Sequence, residues 1–446
     1  MNMGRYFSKP LKISGEDTVS VIKQWSYPLP GPSALDPLIK NIGDAGIVML
    51  GEASHGTSDF YLWRWHITRR LIEEKGFNFI AVEGDWPDCY RLNRFIKNDP
   101  KAGKDAYAVL NAFNRWPTWM WANWELVAFA GWLHHFNKEK PSNRKVGFYG
   151  LDVYSLHESL QEILAYLHKT DPSAYEVALE AARCFEPYRK NEGLAYARAA
   201  ELVPELCQTE VVSLLTEIRA RITSYNTDPE NVFSVAQNST VVANAEQYYR
   251  EMIRGGAHSW NLRDRHMHDT LVKLLDFHGS EAKAVIWAHN THIGDASATD
   301  MIQEGMYNIG ELARLHLWDK GVYLVGFGSY QGTVTAGHRW GGEMKIMDLP
   351  PGRRGSWEDY LHTASPEDKL LLMEDFKDDI LMEHHLPHRA VGVVYQPEYE
   401  QYGNYVPSIL PLRYDAFIHI DESRALHPLH IKPSGGQVPE TYPFGV

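Results

Sequence analysis

Over the first third of the chain, short apolar runs rich in β-branched residues alternate with stretches of helical spacing, which predicts βα units around a mostly parallel sheet. Residues 47–50 and 79–82 read as strands. Residues 146–149 read as a weaker one, because the run is short and contains a glycine. A helix is expected over 58–74, starting directly after the loop Gly51–Gly56, so its first-turn N–H groups would face the strand ends and favour an anion or carboxylate. From 155 to 277 no strand pattern occurs. Apolar residues recur there at three- and four-residue spacing, as in Leu156, Leu160, Ile163, Leu164 and Leu167, which predicts an inserted all-helical subdomain. Residues 232–254 and 260–275 read as consecutive helices broken at Gly255-Gly256. The alternation resumes at 283–288 and 322–327, and 390–395 and 414–420 supply candidate further strands. Residues 350–355, with two prolines and two glycines, form the clearest loop. The expected fold class is α/β, a mostly parallel sheet flanked by helices, with core segments 1–154 and 279–446 and a helical insertion over 155–278.

This pattern matters for chemistry because ligands of open parallel sheets bind in the crevice beyond the carboxyl ends of the strands. Acidic residues and histidines fall there repeatedly: Glu52 and His55 after 47–50, Glu83 after 79–82, and His289 and His292 after 284–288. One shared site is expected from these five residues. An imidazole titrates near neutral pH and is oriented by a neighbouring carboxylate, so His55 is a candidate general base with Glu52 or Glu83 as its partner. His289 follows its strand immediately; His292 is in a polar loop, where solvated or capping histidines are common. Arg64, on the helix after the first motif, could hold a substrate oxygen or a developing oxyanion. Arg64 and the Arg263-Asp264 pair are most simply read as charged helix faces.

The same donors could bind Zn²⁺, Mn²⁺ or Fe²⁺ through Glu52, His55, Glu83 and His289. Neither spacing matches the helical H-E-x-x-H pattern, so a metal stays an alternative and no cofactor is required by the water-based reading. A serine nucleophile finds no G-x-S-x-G around Ser54 or Ser329. No phosphate-binding glycine loop of the GxxxxGK type is present, and the 326–332 segment lacks the third glycine of a dinucleotide fingerprint.

Four tryptophans occur between Trp116 and Trp124, with Pro117 placed as a first-turn helix residue. At about 100° per residue they cannot share one buried face. Trp116 and Trp119, with Trp86 beyond Glu83, are therefore candidates for an aromatic wall contacting substrate, alongside Arg263.

Composition narrows the partners. With 446 residues, 44% of them hydrophobic, the chain can bury a large core. A formal net charge of -13, from 44 basic and 57 acidic residues, repels nucleic acid and anionic lipid. Cys89, Cys184 and Cys207 are widely spaced and odd in number, which argues against a disulfide framework and for a reducing compartment. Residues 1–10 lack the apolar stretch of a secretory signal, and no run reaches the roughly 18 apolar residues of a membrane span. A soluble, cytoplasmic protein is expected, with no nucleic-acid or membrane partner and no indication of oligomeric state.

In combination, Leu50-Gly51-Glu52-Ala53-Ser54-His55-Gly56 with Arg64, Val82-Glu83-Gly84-Asp85, Asn261-Leu262-Arg263-Asp264 and the segment from Trp287 to Ile293 resemble the erythromycin esterase family, some of whose members are labelled succinoglycan biosynthesis proteins. The resemblance spans about residues 35 to 420. It implies hydrolysis of a macrolactone ester, as in macrolide resistance, by water activated at His55. It also implies active-site roles for Glu52, Arg64, Glu83, His289 and His292. Arg64 and His289 would stabilise the oxyanion and His292 would support them. The substrate would be a small-molecule ester, with a macrolide as the family's example. Two alternatives stand beside this one: a metal-dependent hydrolase of a phosphoester or glycan in polysaccharide metabolism, and a non-catalytic metal- or ligand-binding protein.

Overall fold

The computed structural model describes residues 15–203, 206–221, 228–253, 255–377 and 379–430. The 1–10 segment and Arg254, the last residue of the expected 232–254 helix, lie outside them. The strands are β1 (Ser26–Pro28), β2 (Ile47–Leu50), β3 (Phe79–Asp85), β4 (Gly147–Asp152), β5 (Ala284–Trp287), β6 (Val322–Gly337), β7 (Met344–Leu349), β8 (Lys369–Leu372), β9 (His385–Arg389), β10 (Tyr405–Ile409) and β11 (Ala416–Ser423). The order β4-β3-β5-β2-β6-β11 is parallel throughout. β8 then joins β11 antiparallel, β1 closes that edge, and β7 pairs with the far half of β6. The mostly parallel α/β sheet is thus present, with antiparallel additions at one side.

Strand alternation divides the core into two layers. Val48, Leu50, Ile80, Val82, Val285 and Trp287 face one layer of helices, and Ile47, Met49, Phe79, Ala81, Ala284 and Ile286 face the other. β2, β5 and β4 are buried along their whole length, as strands covered on both faces must be. The glycine-bearing run near residue 147 is therefore a full strand, buried on both faces although it ends the sheet. A side chain at Gly150 would strike the Gly84 carbonyl at 2.3 Å, so the glycine is what lets β4 approach β3 where the β3 register shifts.

Between β4 and β5 the described residues are helical, from Leu156–Thr170 to Ala257–His278, and they pack around a hydrophobic cluster of their own. The last two helices of this insertion, Pro229–Met252 and Ala257–His278, are separated by Gly255 and Gly256 at φ 66° and 75°, a left-handed turn that side-chain-bearing residues avoid. Two expectations are corrected. Cys184 and Cys207 form a disulfide, leaving buried Cys89 as a free thiol, so the reading against disulfides and for a reducing compartment loses its support. The pair joins the end of one insertion helix to the approach of another, a proximity that exists only after the helices pack. Residues 390–395 make isolated bridges, Val391 with Ser54 and Val394 with Gly337; the strand of that region is β9, which pairs with β10 in a separate sheet. No helix among the described residues is long and apolar enough to cross a membrane.

Candidate active site

The carboxyl ends of β2, β5 and β3 lie side by side, and they bring the expected residues together. His55 and His289, 234 residues apart in the chain, have ring centroids 4.9 Å apart. His55 Nδ1 lies 2.9 Å from Glu52 Oε1, and Arg64 Nη2 lies 2.8 Å from Glu52 Oε2. Arg64 comes from the helix Ser58–Lys75, one residue longer than expected. Its guanidinium is fully buried behind Glu52, over the Tyr61 ring at 4.3 Å. The first turn of this helix is supplied with the chain's own acceptors: Ser58 N–H donates to the Arg424 carbonyl, its hydroxyl to Glu125, and Asp59 pairs with Arg424.

Glu83 ties the second half of the site. Its Oε2 accepts the His289 backbone N–H at 2.8 Å and its Oε1 accepts from Arg263 Nη2 at 2.6 Å. Burial pushes its carboxyl up, but His292, Arg263, His55 and the His289 amide outweigh burial and hold it well below the usual carboxylate range. Glu83 is an anchored anion, too weakly basic to collect a proton. Burial, reinforced by His55, holds His289 well below the ordinary imidazole range, so it is neutral. His292 Nδ1 meets Asp264 at 2.9 Å and its ring stacks on Trp260 at 4.6 Å. Burial lowers its proton affinity, and Asp264 and Glu83 more than restore it. Arg263 Nη1 lies 2.9 Å from His292 Nε2, which also faces Glu83 Oε1 at 3.5 Å.

These networks back a cleft. Its polar wall is His55, Glu83, Asp85, Asp88, Asp152 and Arg263; its apolar wall is Phe113, Trp116, Met120, Trp121, Tyr154 and Val393. Asp85 pairs with Arg115 yet burial lifts its carboxyl to about 6, and burial together with Asp85 lifts Asp88 to about 7. Trp116 lines the cleft, its ring tilted at 60° against that of Trp340 with centroids 5.3 Å apart. Trp119 is in the core, and Trp86 packs between Tyr149 and the insertion, donating to Ser234. Pro117 precedes a single 3₁₀ turn, Thr118–Met120, and the helix begins only at Trp124.

The proposed metal donors do not fit an ion in this arrangement. Both oxygens of Glu52 face His55 and Arg64, and both of Glu83 face Arg263 and a backbone N–H, so two guanidinium groups hold the positions a cation would need. Among the described residues no group of three His, Cys, Asp or Glu is arranged to hold a metal.

The sequence pattern of the erythromycin esterase family matches residues 72–423. The chain belongs to that family. Erythromycin esterase type II of Escherichia coli is 24% identical to this erythromycin esterase family member over 370 residues, covering 77% of this chain and 84% of the relative. Among solved structures, a protein from Bacillus cereus superposes with a TM-score of 0.76 at 17% identity, over 94% of this chain and 100% of its own. A succinoglycan biosynthesis protein gives 0.71 at 20%, covering 94% and 99%. A mutant of the erythromycin esterase EreC in its open conformation gives 0.64 at 16%, covering 88% and 94%. These structures share the fold of this family member.

Sequence reasoning underweighted three residues. Asp152, at the end of β4, grips Arg263 through Nε at 3.0 Å and Nη2 at 2.7 Å. Arg263 and Asp264, read as a charged helix face, are 5% and 0% exposed. The available signal was their adjacency on a helix that returns to the sheet immediately before β5.

Proposed function

We propose that this protein is a carboxylic ester hydrolase in which His55 activates water. The observation that carries the reading is His55 lining the cleft with buried Glu52 paired behind it, and Glu52 itself held by buried Arg64. Nδ1–H bound to Glu52 leaves Nε2 of His55 as the basic nitrogen. Water gives its proton to that nitrogen as its oxygen attacks the ester carbonyl, and the imidazolium then protonates the departing alkoxide, releasing acid and alcohol. Arg263, which lines the cleft beside His55, and neutral His289 are suited to stabilise the tetrahedral oxyanion. Arg64 orients Glu52 from behind, and His292 with Asp264 holds Arg263.

A macrolactone is the substrate class supported by the family and by the apolar wall of Phe113, Trp116, Met120 and Trp121. The name of the Escherichia coli relative points the same way. The test is hydrolysis of a macrolide and of aryl esters, with and without added Zn²⁺ or Mn²⁺. Wild type is expected to turn over at least one ester without metal, and His55→Ala to lose roughly 10²–10⁴-fold in kcat/KM while keeping its circular dichroism and melting temperature. Wild-type turnover by folded His55→Ala would remove His55 from the role of base.

A further inference from the structure

We infer that Asn290 is a positioning residue that sets the meeting of His55 with His289. The inference rests on the esterase reading for its effect on turnover, and on geometry for its effect on the two imidazoles. β2 hydrogen-bonds to β6 only as far as Gly51, whose N–H donates to the Val325 carbonyl. Beyond that point the Asn290 carboxamide stands in for a strand. Its Nδ2 donates to the Phe327 carbonyl at 2.6 Å, and its Oδ1 accepts the Phe327 N–H at 3.2 Å. Its own backbone N–H donates to the Glu52 carbonyl at 2.9 Å, and its carbonyl accepts from Arg413 Nη2 at 3.0 Å. One residue therefore ties the chain beyond β5 to β6 and to the residue that holds His55, and His289 is its immediate neighbour.

Two further features fit this assignment. A side chain at Gly51 would come within 2.1 Å of Asn290 Oδ1, so the glycine keeps the place of the carboxamide open. His388 gives its Nδ1–H to Glu358 at 2.7 Å, which leaves Nε2 as an acceptor 3.4 Å from Asn290 Nδ2. Burial keeps His388 below the ordinary imidazole range, in the neutral form that can accept. Losing the carboxamide strips the Phe327 N–H and carbonyl of their partners and unhooks the turn that carries His289.

The test compares wild type, Asn290→Ala, Gly51→Ala and a control, Leu167→Ala, whose cavity lies in the core of the helical insertion. Steady-state kinetics on an ester turned over by wild type are measured with ¹⁵N imidazole spectra of His55 and His289 across pH. Asn290→Ala and Gly51→Ala are expected to lose about 10²-fold in kcat, as misplaced catalytic groups do, with KM little changed, and to shift the His289 resonances. Leu167→Ala is expected to melt earlier with wild-type kcat and wild-type imidazole spectra. Folded Asn290→Ala with wild-type kcat and unshifted imidazoles would overturn the inference; should it not fold, Gly51→Ala decides by the same criteria. Absence of any ester turnover in wild type would sink the esterase reading alone, because the imidazole spectra still decide the positioning role.

Discussion

Replacing Glu52 with glutamine keeps the side chain's shape and its acceptor toward His55, but leaves the fully buried Arg64 guanidinium without its anion. Stripping one partner from a buried ion pair costs on the order of 3–5 kcal/mol. Glu52→Gln should therefore lower the denaturant midpoint by a corresponding amount as well as reduce turnover, and an unchanged midpoint would show that Arg64 finds another partner. Asp88 offers a change of opposite sign. Its carboxyl is lifted to about 7, first by burial and then by Asp85, from an ordinary value near 4, so its ionised form opposes folding. Above about pH 7 that cost is complete, and it vanishes as pH falls toward 4. Asp88→Asn is thus expected to stabilise the protein at neutral pH with no gain at pH 4, measured by urea unfolding at both.

Among the elements, the strands that end in the site were legible because a short apolar run closed by a charged residue is too brief for a buried helix and too apolar for an exposed loop. β1, β7 and β8 were not. They are short or half-exposed, and their places come from pairing with β6, β8 and β11, which sequence periodicity does not encode. The 390–395 run satisfies strand chemistry but is spent on single bridges beside Ser54 and Gly337. The tryptophans part company: Trp116 and Trp119 sit three residues apart, yet around a 3₁₀ turn one lines the cleft and the other is in the core. Trp86 is not among the residues lining the cleft; it joins elements, stacking on Tyr149 of β4 and bonding Ser234 of the insertion. Trp86→Ala should cost about 3–5 kcal/mol of stability while leaving kcat near wild type at a temperature where the variant is folded. A kcat lost in step with Tyr154 or Trp116 variants would place it in the substrate wall.

Over the whole molecule, buried histidines and buried carboxyls pull the pH response in opposite directions. Burial holds His266, His278 and His419 down to about 4, so each is neutral when folded and takes up a proton on unfolding below about 6.5. Their contribution is present above 6.5 and is lost as pH falls through 4. Asp85, Asp88 and Glu311, held up to about 6, 7 and 7, work in the opposite direction over that range. Between pH 6.5 and 4 the melting temperature of Asp88→Asn is expected to fall relative to that of wild type, because its offsetting carboxyl is gone.

The last helix of the insertion also fixes how the cleft can deform. Arg263 reaches from it to Glu83 and Asp152 on the sheet, and Asp264 reaches to His292. Swinging that helix outward would expose or orphan a guanidinium and three carboxylates at once, each at a cost of several kcal/mol. The cleft thus has one jaw riveted to the sheet, and any widening is left to the opposite jaw, the tryptophan-bearing loop before residue 124.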